Sequence, residues 1–176
     1  MKRLSILVAL LASLASASSH ADEAADRIGA FQAAYRSRDE AARIAAVQDL
    51  SGVREPRVYA LLGKLLPADT DAVRRAAADA LGASGDVRCA PLLKAAVQPN
   101  HKNPLVLEAV FRAMGAVGGA CEDVLGKHMN GKGTGLETEY APSVFACIDA
   151  LGSIRSAASV EQLLRFGTGL QSLCDS

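Results

Sequence analysis

A short phrase recurs three times in this chain of 176 residues, and its spacing limits the possible folds more than any other feature. The copies are DALG at 79–82, RAMG at 112–115 and DALG at 149–152, spaced by 33 and 37 residues. Repeats of this length are typical of stacked helical hairpins. Each copy closes a stretch whose apolar residues recur at i, i+3, i+4 and i+7, which predicts an amphipathic helix. Those residues are Val73, Ala76, Ala77 and Ala80; Leu107, Val110, Phe111 and Met114; and Val144, Cys147, Ile148 and Leu151.

The glycine that ends each phrase is predicted to stop its helix, because glycine adopts the left-handed conformation at little cost. A second apolar segment follows each stop, and an earlier, more divergent unit precedes the first phrase. The sequence therefore predicts an all-α fold, an α-solenoid (αα superhelix) of about four stacked helical hairpins. A capping helix at 22–36 is expected to precede a repeat domain at 37–176, with units at about 37–67, 69–99, 103–129 and 137–170.

Composition agrees with closely packed helices. The chain has 34 alanines and no tryptophan, and aromatic residues make up 4% of it. Its apolar content therefore comes largely from a small helix-forming side chain rather than from bulky residues that favour strands. Lysine and arginine together number 19, as do aspartate and glutamate. This balance argues against nucleic acid as a partner, because binding to phosphates requires a basic surface.

The N-terminus has the three parts of a secretory signal peptide. Lys2 and Arg3 precede an apolar run at 4–14, and the small residues Ser19 and Ala21 occupy the two positions that signal peptidase reads. An N-terminal anchor is the alternative, but the run is shorter than the roughly 20 apolar residues that cross a bilayer. We therefore expect cleavage after residue 21, no membrane span in the mature chain, and a periplasmic or secreted protein with 17 basic and 19 acidic residues.

Four cysteines, Cys89, Cys121, Cys147 and Cys174, lie in the predicted mature chain. An even number in an oxidising compartment favours disulfides, and the repeat register suggests the pairs Cys89–Cys121 and Cys147–Cys174. Alternatively, the cysteines are small buried side chains, because Cys147 falls on an apolar helix face. Both interpretations stay open. The gaps of 32, 26 and 27 residues exclude a Cys-x-x-Cys zinc knuckle, so no metal is expected.

The unit at 71–93 has a characteristic set of residues, namely Asp71, Val73, Arg74, Ala76, Ala77, Ala80, Leu81, Gly82, Gly85, Asp86, Ala90 and Leu93. With this set the unit resembles a known family, the HEAT-type repeats, and specifically the short bacterial form found in phycobilisome lyase-like proteins. In the later units, Glu108 and Phe145 stand where that family usually has arginine. The resemblance implies a scaffold that binds proteins. It also allows an accessory role in attaching a tetrapyrrole or other cofactor to a client protein.

No catalytic motif is evident in the sequence. The glycine-rich stretch at 131–135 lacks the order of a phosphate-binding loop, and no Gly-x-Ser-x-Gly elbow occurs. His101 and His128 are isolated at loop or helix-end positions, where a histidine is expected to be solvated rather than a metal ligand. The chain is therefore not expected to be an enzyme or to bind a cofactor.

The second helices of a solenoid usually form its binding face, and their polar positions here are mostly basic. We expect this face to meet an acidic partner protein, although such residues also simply solubilise exposed helices. The sequence thus predicts an exported, non-catalytic scaffold or adaptor, with a structural spacer of an envelope assembly as a further alternative. The candidate partner-binding residues are Arg57, Lys64, Arg88, Lys94, Lys127 and Arg165, with Gln162 beside them.

Overall fold

The computed structural model describes residues 23–131 and 139–174, the last three of these by their backbone alone. In these ranges the chain forms nine α-helices, one short 3₁₀ helix at Val87–Cys89, and no strand, so the predicted all-α class is confirmed. The predicted signal peptide and most of the glycine-rich stretch at 131–135 lie outside the described residues. The helices are α1 at 23–34, α2 Glu40–Gln48, α3 Pro56–Leu65, α4 Asp71–Ala83, α5 Ala90–Val97, α6 Pro104–Val117, α7 Glu122–Gly131, α8 Ala141–Ile154 and α9 Ala157–Cys174.

The helices form two rows, as expected for a solenoid. In the first row α2, α4, α6 and α8 pack side by side in chain order. In the second row α3 packs against α5 and α7 against α9. Each of α3, α5 and α7 also packs against the first helix of the following hairpin. This arrangement is the HEAT-type α-solenoid of stacked hairpins that the repeats predict.

One continuous core runs along the stack, from Phe31 in α1 to Phe166 in α9. The residue directly before each phrase glycine is fully buried; these residues are Leu81, Met114 and Leu151. Because a single hairpin cannot cover both of its apolar faces, each copy of the phrase places its apolar residues against the neighbouring first helix. The phrase therefore recurs because the same position of each first helix packs against the next first helix.

The phrase glycines do not end their helices, so that prediction is wrong. Helices α4, α6 and α8 continue through Gly82, Gly115 and Gly152 by one or two further residues. Positive φ angles occur beyond the helix ends instead, at 58° in Gly85, 66° in Gly118 and 55° in Arg155.

Close approach of neighbouring helices explains two of the three phrase glycines. A Cβ atom at Gly82 would lie 2.9 Å from the Cα of Ala113, and one at Gly115 would lie 2.7 Å from the Cα of Ala150. Side chains do not pack at such distances, so both helix pairs require glycine. Gly152, in the last hairpin, would place its Cβ in open space.

A buried asparagine links consecutive hairpins at the loops between them. The Asn100 side chain is fully buried, and its Nδ2 donates to the backbone oxygens of Leu66 at 3.0 Å and Ala96 at 2.8 Å. Its Oδ1 accepts a hydrogen bond from Arg74 Nη1 at 2.7 Å. Arg74 Nε also donates to the backbone oxygen of Asp69 at 2.7 Å. Arg74, the arginine of the HEAT-like pattern, thus satisfies buried polar groups of two successive loops.

Candidate functional site

The six predicted partner-binding residues are distributed along the second row of helices rather than gathered in one place. All of them are exposed except Lys94, which is half-buried. The structure places Arg57 and Lys64 on α3, Arg88 in the 3₁₀ turn, Lys94 on α5, Lys127 on α7 and Arg165 on α9.

Arg88 is held in an ion pair with the carboxylate of its own turn. Its Nε lies 3.0 Å and 2.9 Å from the two carboxylate oxygens of Asp86, and its guanidinium lies 5.6 Å from the Tyr59 ring centroid. Tyr59 Oη donates to Asp86 at 2.9 Å. Hydrogen bonds from the Arg88 side chain and backbone hold the pKa of Asp86 well below its usual range. Arg88 therefore fastens the turn to α3 of the preceding hairpin.

Arg57 and Lys94 are also engaged within the protein. Lys94 Nζ donates to the backbone oxygen of Ala120 at 3.0 Å, which links α5 to the turn of the next hairpin. Arg57 Nε lies 2.9 Å from the Glu55 carboxylate, just before α3. Arg88 and Lys94 thus link neighbouring hairpins, whereas the exposed Arg57 pairs with a carboxylate two residues away.

Two of the other predicted partner-binding residues, Lys127 and Arg165, line the same groove of about 370 Å³ between α7 and α9. Within the part of the chain that the structure describes, the Lys127 ammonium makes no ion pair or hydrogen bond. Arg165 pairs with Glu161 at 2.8 Å, but both side chains are more than 60% exposed, and such surface pairs contribute little and exchange readily with another anion. The groove is lined by Asp123, Gly126, Lys127, Asn130, Gln162 and Arg165.

A second groove, of about 240 Å³, lies between α6 and α8 in the first row, and no sequence motif predicts it. The phrase spacing aligns Glu108 and Phe145 with Arg75 rather than with Arg74, so they are not departures from the repeat arginine. Both residues line the groove, together with Arg112, Pro142, Ala146, Asp149, Ala150 and Ser153.

Cys89, Cys121 and Cys147 are buried free thiols in the structure. Cys89 Sγ lies 3.4 Å from Ser84 Oγ, and Cys121 Sγ donates to the backbone oxygen of Gly118 at 3.1 Å. Each thiol thus contacts a group of its own turn, and the structure contains no Cys89–Cys121 bond. Of the other suggested pair, the side chain of Cys174 lies outside the described residues.

Burial raises the pKa of the Cys89, Cys121 and Cys147 thiols, which predicts slow alkylation because the thiolate is the reactive form. We expect N-ethylmaleimide at pH 7.5 to leave these three cysteines unmodified in the folded protein. In urea without reductant, the same reagent should label all three, as measured by peptide mass spectrometry. Labelling of any of them only after a reductant is added would instead indicate a disulfide.

His128 and Ser143 form a pair that resembles a catalytic dyad but has the wrong arrangement of protons. Ser143 Oγ donates its single proton to the backbone oxygen of Tyr140 at 2.8 Å. His128 Nε2 lies 2.9 Å from that Oγ and, with the serine proton on the Tyr140 oxygen, donates to it. The His128 ring also packs against the Phe111 ring in a tilted arrangement, with 4.6 Å between the ring centroids. The expectation of a solvated His128 is wrong, because the imidazole packs between α6 and α8.

Residues 29–114 match a family model described as HEAT repeats, which covers the second half of α1, all of α2 to α5 and most of α6. This match, just under half of the chain, supports the HEAT-repeat assignment and agrees with the two-row architecture. HEAT repeats are commonly scaffolds for protein interactions and typically lack catalytic activity. Comparisons with curated proteins and with solved structures found no match.

Two further observations bear on the class of protein. No helix in residues 23–131 and 139–174 is both long and apolar enough to cross a membrane. Over the same ranges, no cluster of three or more His, Cys, Asp or Glu side chains is arranged to hold a metal ion. The described helices therefore form a HEAT-type α-solenoid with surface grooves between neighbouring helices.

Proposed function

We propose that the protein is an exported, non-catalytic adaptor that binds the acidic surface of a partner protein through the α7–α9 groove. The observation that carries the proposal is the placement of Lys127 and Arg165 in one groove, where neither cation is held by a buried partner. Gln162 adds an amide group that can donate hydrogen bonds to carboxylates, and so does the second N–H of Asn130, whose Nδ2 also donates to the backbone oxygen of Gly126 at 2.8 Å. The groove therefore supplies both charge and directional hydrogen bonding for an acidic segment.

Export is part of the proposal and rests on the signal-like sequence at 1–21. It is tested by producing the full chain in a Gram-negative host and sequencing the N-terminus of the protein recovered from the periplasm and medium. A new N-terminus at Asp22 supports export. Retention of Met1 or Lys2 in all recovered protein contradicts it.

The binding groove is tested with the double charge reversal Lys127→Glu and Arg165→Glu. The partner is captured by photo-cross-linking from Asn130 in the exported fraction and identified by mass spectrometry. We expect the double variant to recover at least about tenfold less of that partner, because like charges across an interface repel and tenfold corresponds to about 1.4 kcal/mol.

A matched control is the pair Arg36→Glu and Arg38→Glu, two exposed arginines in the turn before α2. It changes the net charge by the same amount far along the chain from the groove. Recovery should stay at the wild-type level in this control. Equal loss in both double variants would indicate a nonspecific charge effect, and no loss in the groove variant would remove Lys127 and Arg165 from the binding site.

A further inference from the structure

The groove between α6 and α8 is shaped by small residues at its base. Ala146 and Ala150 line it and are buried, so they form its floor. Ala150 is also the residue on which Gly115 packs, which draws the two helices together beneath the groove. Because α6 and α8 pack along their length within one core, the walls of the groove are held by rigid elements.

Phe145 stands on the wall of this groove in an unusual environment for a phenylalanine. It is 53% exposed, whereas the other three phenylalanines, Phe31, Phe111 and Phe166, are all buried. The spacing of the phrases places Phe145 at the repeat position that Glu108 occupies in the preceding hairpin. A charged residue would serve solubility there, so an exposed aromatic ring beside a groove indicates a contact surface.

Some charged side chains that line the groove have ion-pair partners and one does not. Arg112 pairs with Asp79 at 2.8 Å and with Glu108 at 3.3 Å, so its positive charge is already matched. The exposed carboxylate of Asp149, one helical turn after Phe145, has no ion pair or hydrogen bond to any residue within the described ranges. The groove therefore carries an unmatched negative charge next to an aromatic face.

We propose that the α6–α8 groove binds an arginine or lysine side chain of a partner protein. The cationic head would lie over the Phe145 ring and pair with the Asp149 carboxylate, while the alkyl stem would cover the alanine floor. A cation within about 6 Å of an aromatic centroid is attracted by the ring quadrupole, and a carboxylate on the same side reinforces that attraction. This second site lies on the first row of helices and extends the proposed function from one binding groove to two of opposite charge preference.

The test is a selection of random twelve-residue peptides displayed on phage against the full chain, with prior subtraction on the Phe145→Ala variant. We expect the surviving peptides to be rich in arginine or lysine next to apolar residues. Binding of these peptides should fall at least about tenfold on Asp149→Asn and recover on Asp149→Glu. It should be unchanged on Lys127→Glu with Arg165→Glu.

Two controls keep the outcome interpretable. Phe145 and Asp149 are exposed, so their variants should keep the wild-type circular dichroism and unfolding midpoint. Phe145→Leu keeps an apolar side chain without the ring quadrupole and should bind the selected peptides more weakly than Phe145→Tyr. Survival of no peptides, or of acidic or purely apolar ones, overturns the proposal for this groove. A parallel selection without the subtraction step tests the α7–α9 groove, because peptides that bind there also bind Phe145→Ala and are otherwise removed. Acidic peptides from that selection that bind the wild type but not the Lys127→Glu, Arg165→Glu variant would support the α7–α9 groove, so the two proposals can fail separately.

Discussion

Leu81→Ala is expected to lower the free energy of unfolding by about 2–5 kcal/mol, the range for truncating a buried leucine. Leu81 is fully buried in α4, which packs between α2 and α6. The substitution removes three carbon atoms from the core and leaves a cavity, because helices held on both sides by neighbours can close only part of the space. Chemical denaturation followed by circular dichroism measures the change.

Leu164→Ala is the matched control, because it makes the same chemical change at a side chain that is 64% exposed on α9. Its effect should stay within about 0.5 kcal/mol, as for most surface substitutions. Stacked hairpins need not unfold as one unit, so the comparison should include the number of transitions as well as the midpoint. Indistinguishable denaturation curves for the two variants would contradict the packing of α4 described above.

Gly115→Ala is expected to destabilise the protein by about 1–3 kcal/mol, which is the usual cost of overpacking. The new Cβ would lie 2.7 Å from the backbone Cα of Ala150, so α6 and α8 would have to separate. This cost opposes, and should exceed, the gain of up to about 1 kcal/mol that alanine brings to a helix interior relative to glycine. Thermal unfolding measures the net effect.

Gly152→Ala provides the control at the equivalent position of the last hairpin. Gly152 is also helical and exposed, but a Cβ there meets nothing within 4 Å. Only the higher helix propensity of alanine then changes the stability, and we expect stabilisation by about 0.5–1 kcal/mol. Opposite signs for the two variants would establish that helix contact, rather than helix termination, requires glycine at Gly115. Stabilisation by both would show that α6 and α8 are farther apart than described.

The repeat period was sufficient to predict the class of fold. Apolar residues at helical spacing recur with the phrase, and Leu81, Met114 and Leu151 are indeed buried together along one stack. The start of α6 depends on equally local residues, because the Asn103 side chain caps this helix by accepting a hydrogen bond from the Val106 backbone. Such features depend on the residues of one hairpin and the need of that hairpin to stack, so a single sequence contains them.

The candidate site was less predictable because its properties depend on which side chains contact one another, both within a turn and between hairpins. Arg88 and Lys127 look alike in the sequence, yet Arg88 is fastened to Asp86 while Lys127 stands in a groove. Likewise, Phe145 lies outside the apolar face predicted for α8 and is exposed, but only the packing of α6 beside α8 shows that it lines a groove. Neither distinction can be read from periodicity, which identifies faces but not partners.

The sequence by itself determined that this protein is an all-α stack of helical hairpins, because a repeated amphipathic pattern can be buried only by stacking. Only the tertiary structure decided which glycines serve close contact, which thiols are buried and which charges remain unmatched. The physical reason is that these properties depend on distances of a few ångströms between hairpins. The separation of α6 and α8, for example, is decided jointly by Gly115, Ala150 and the shared core, and no single segment encodes it.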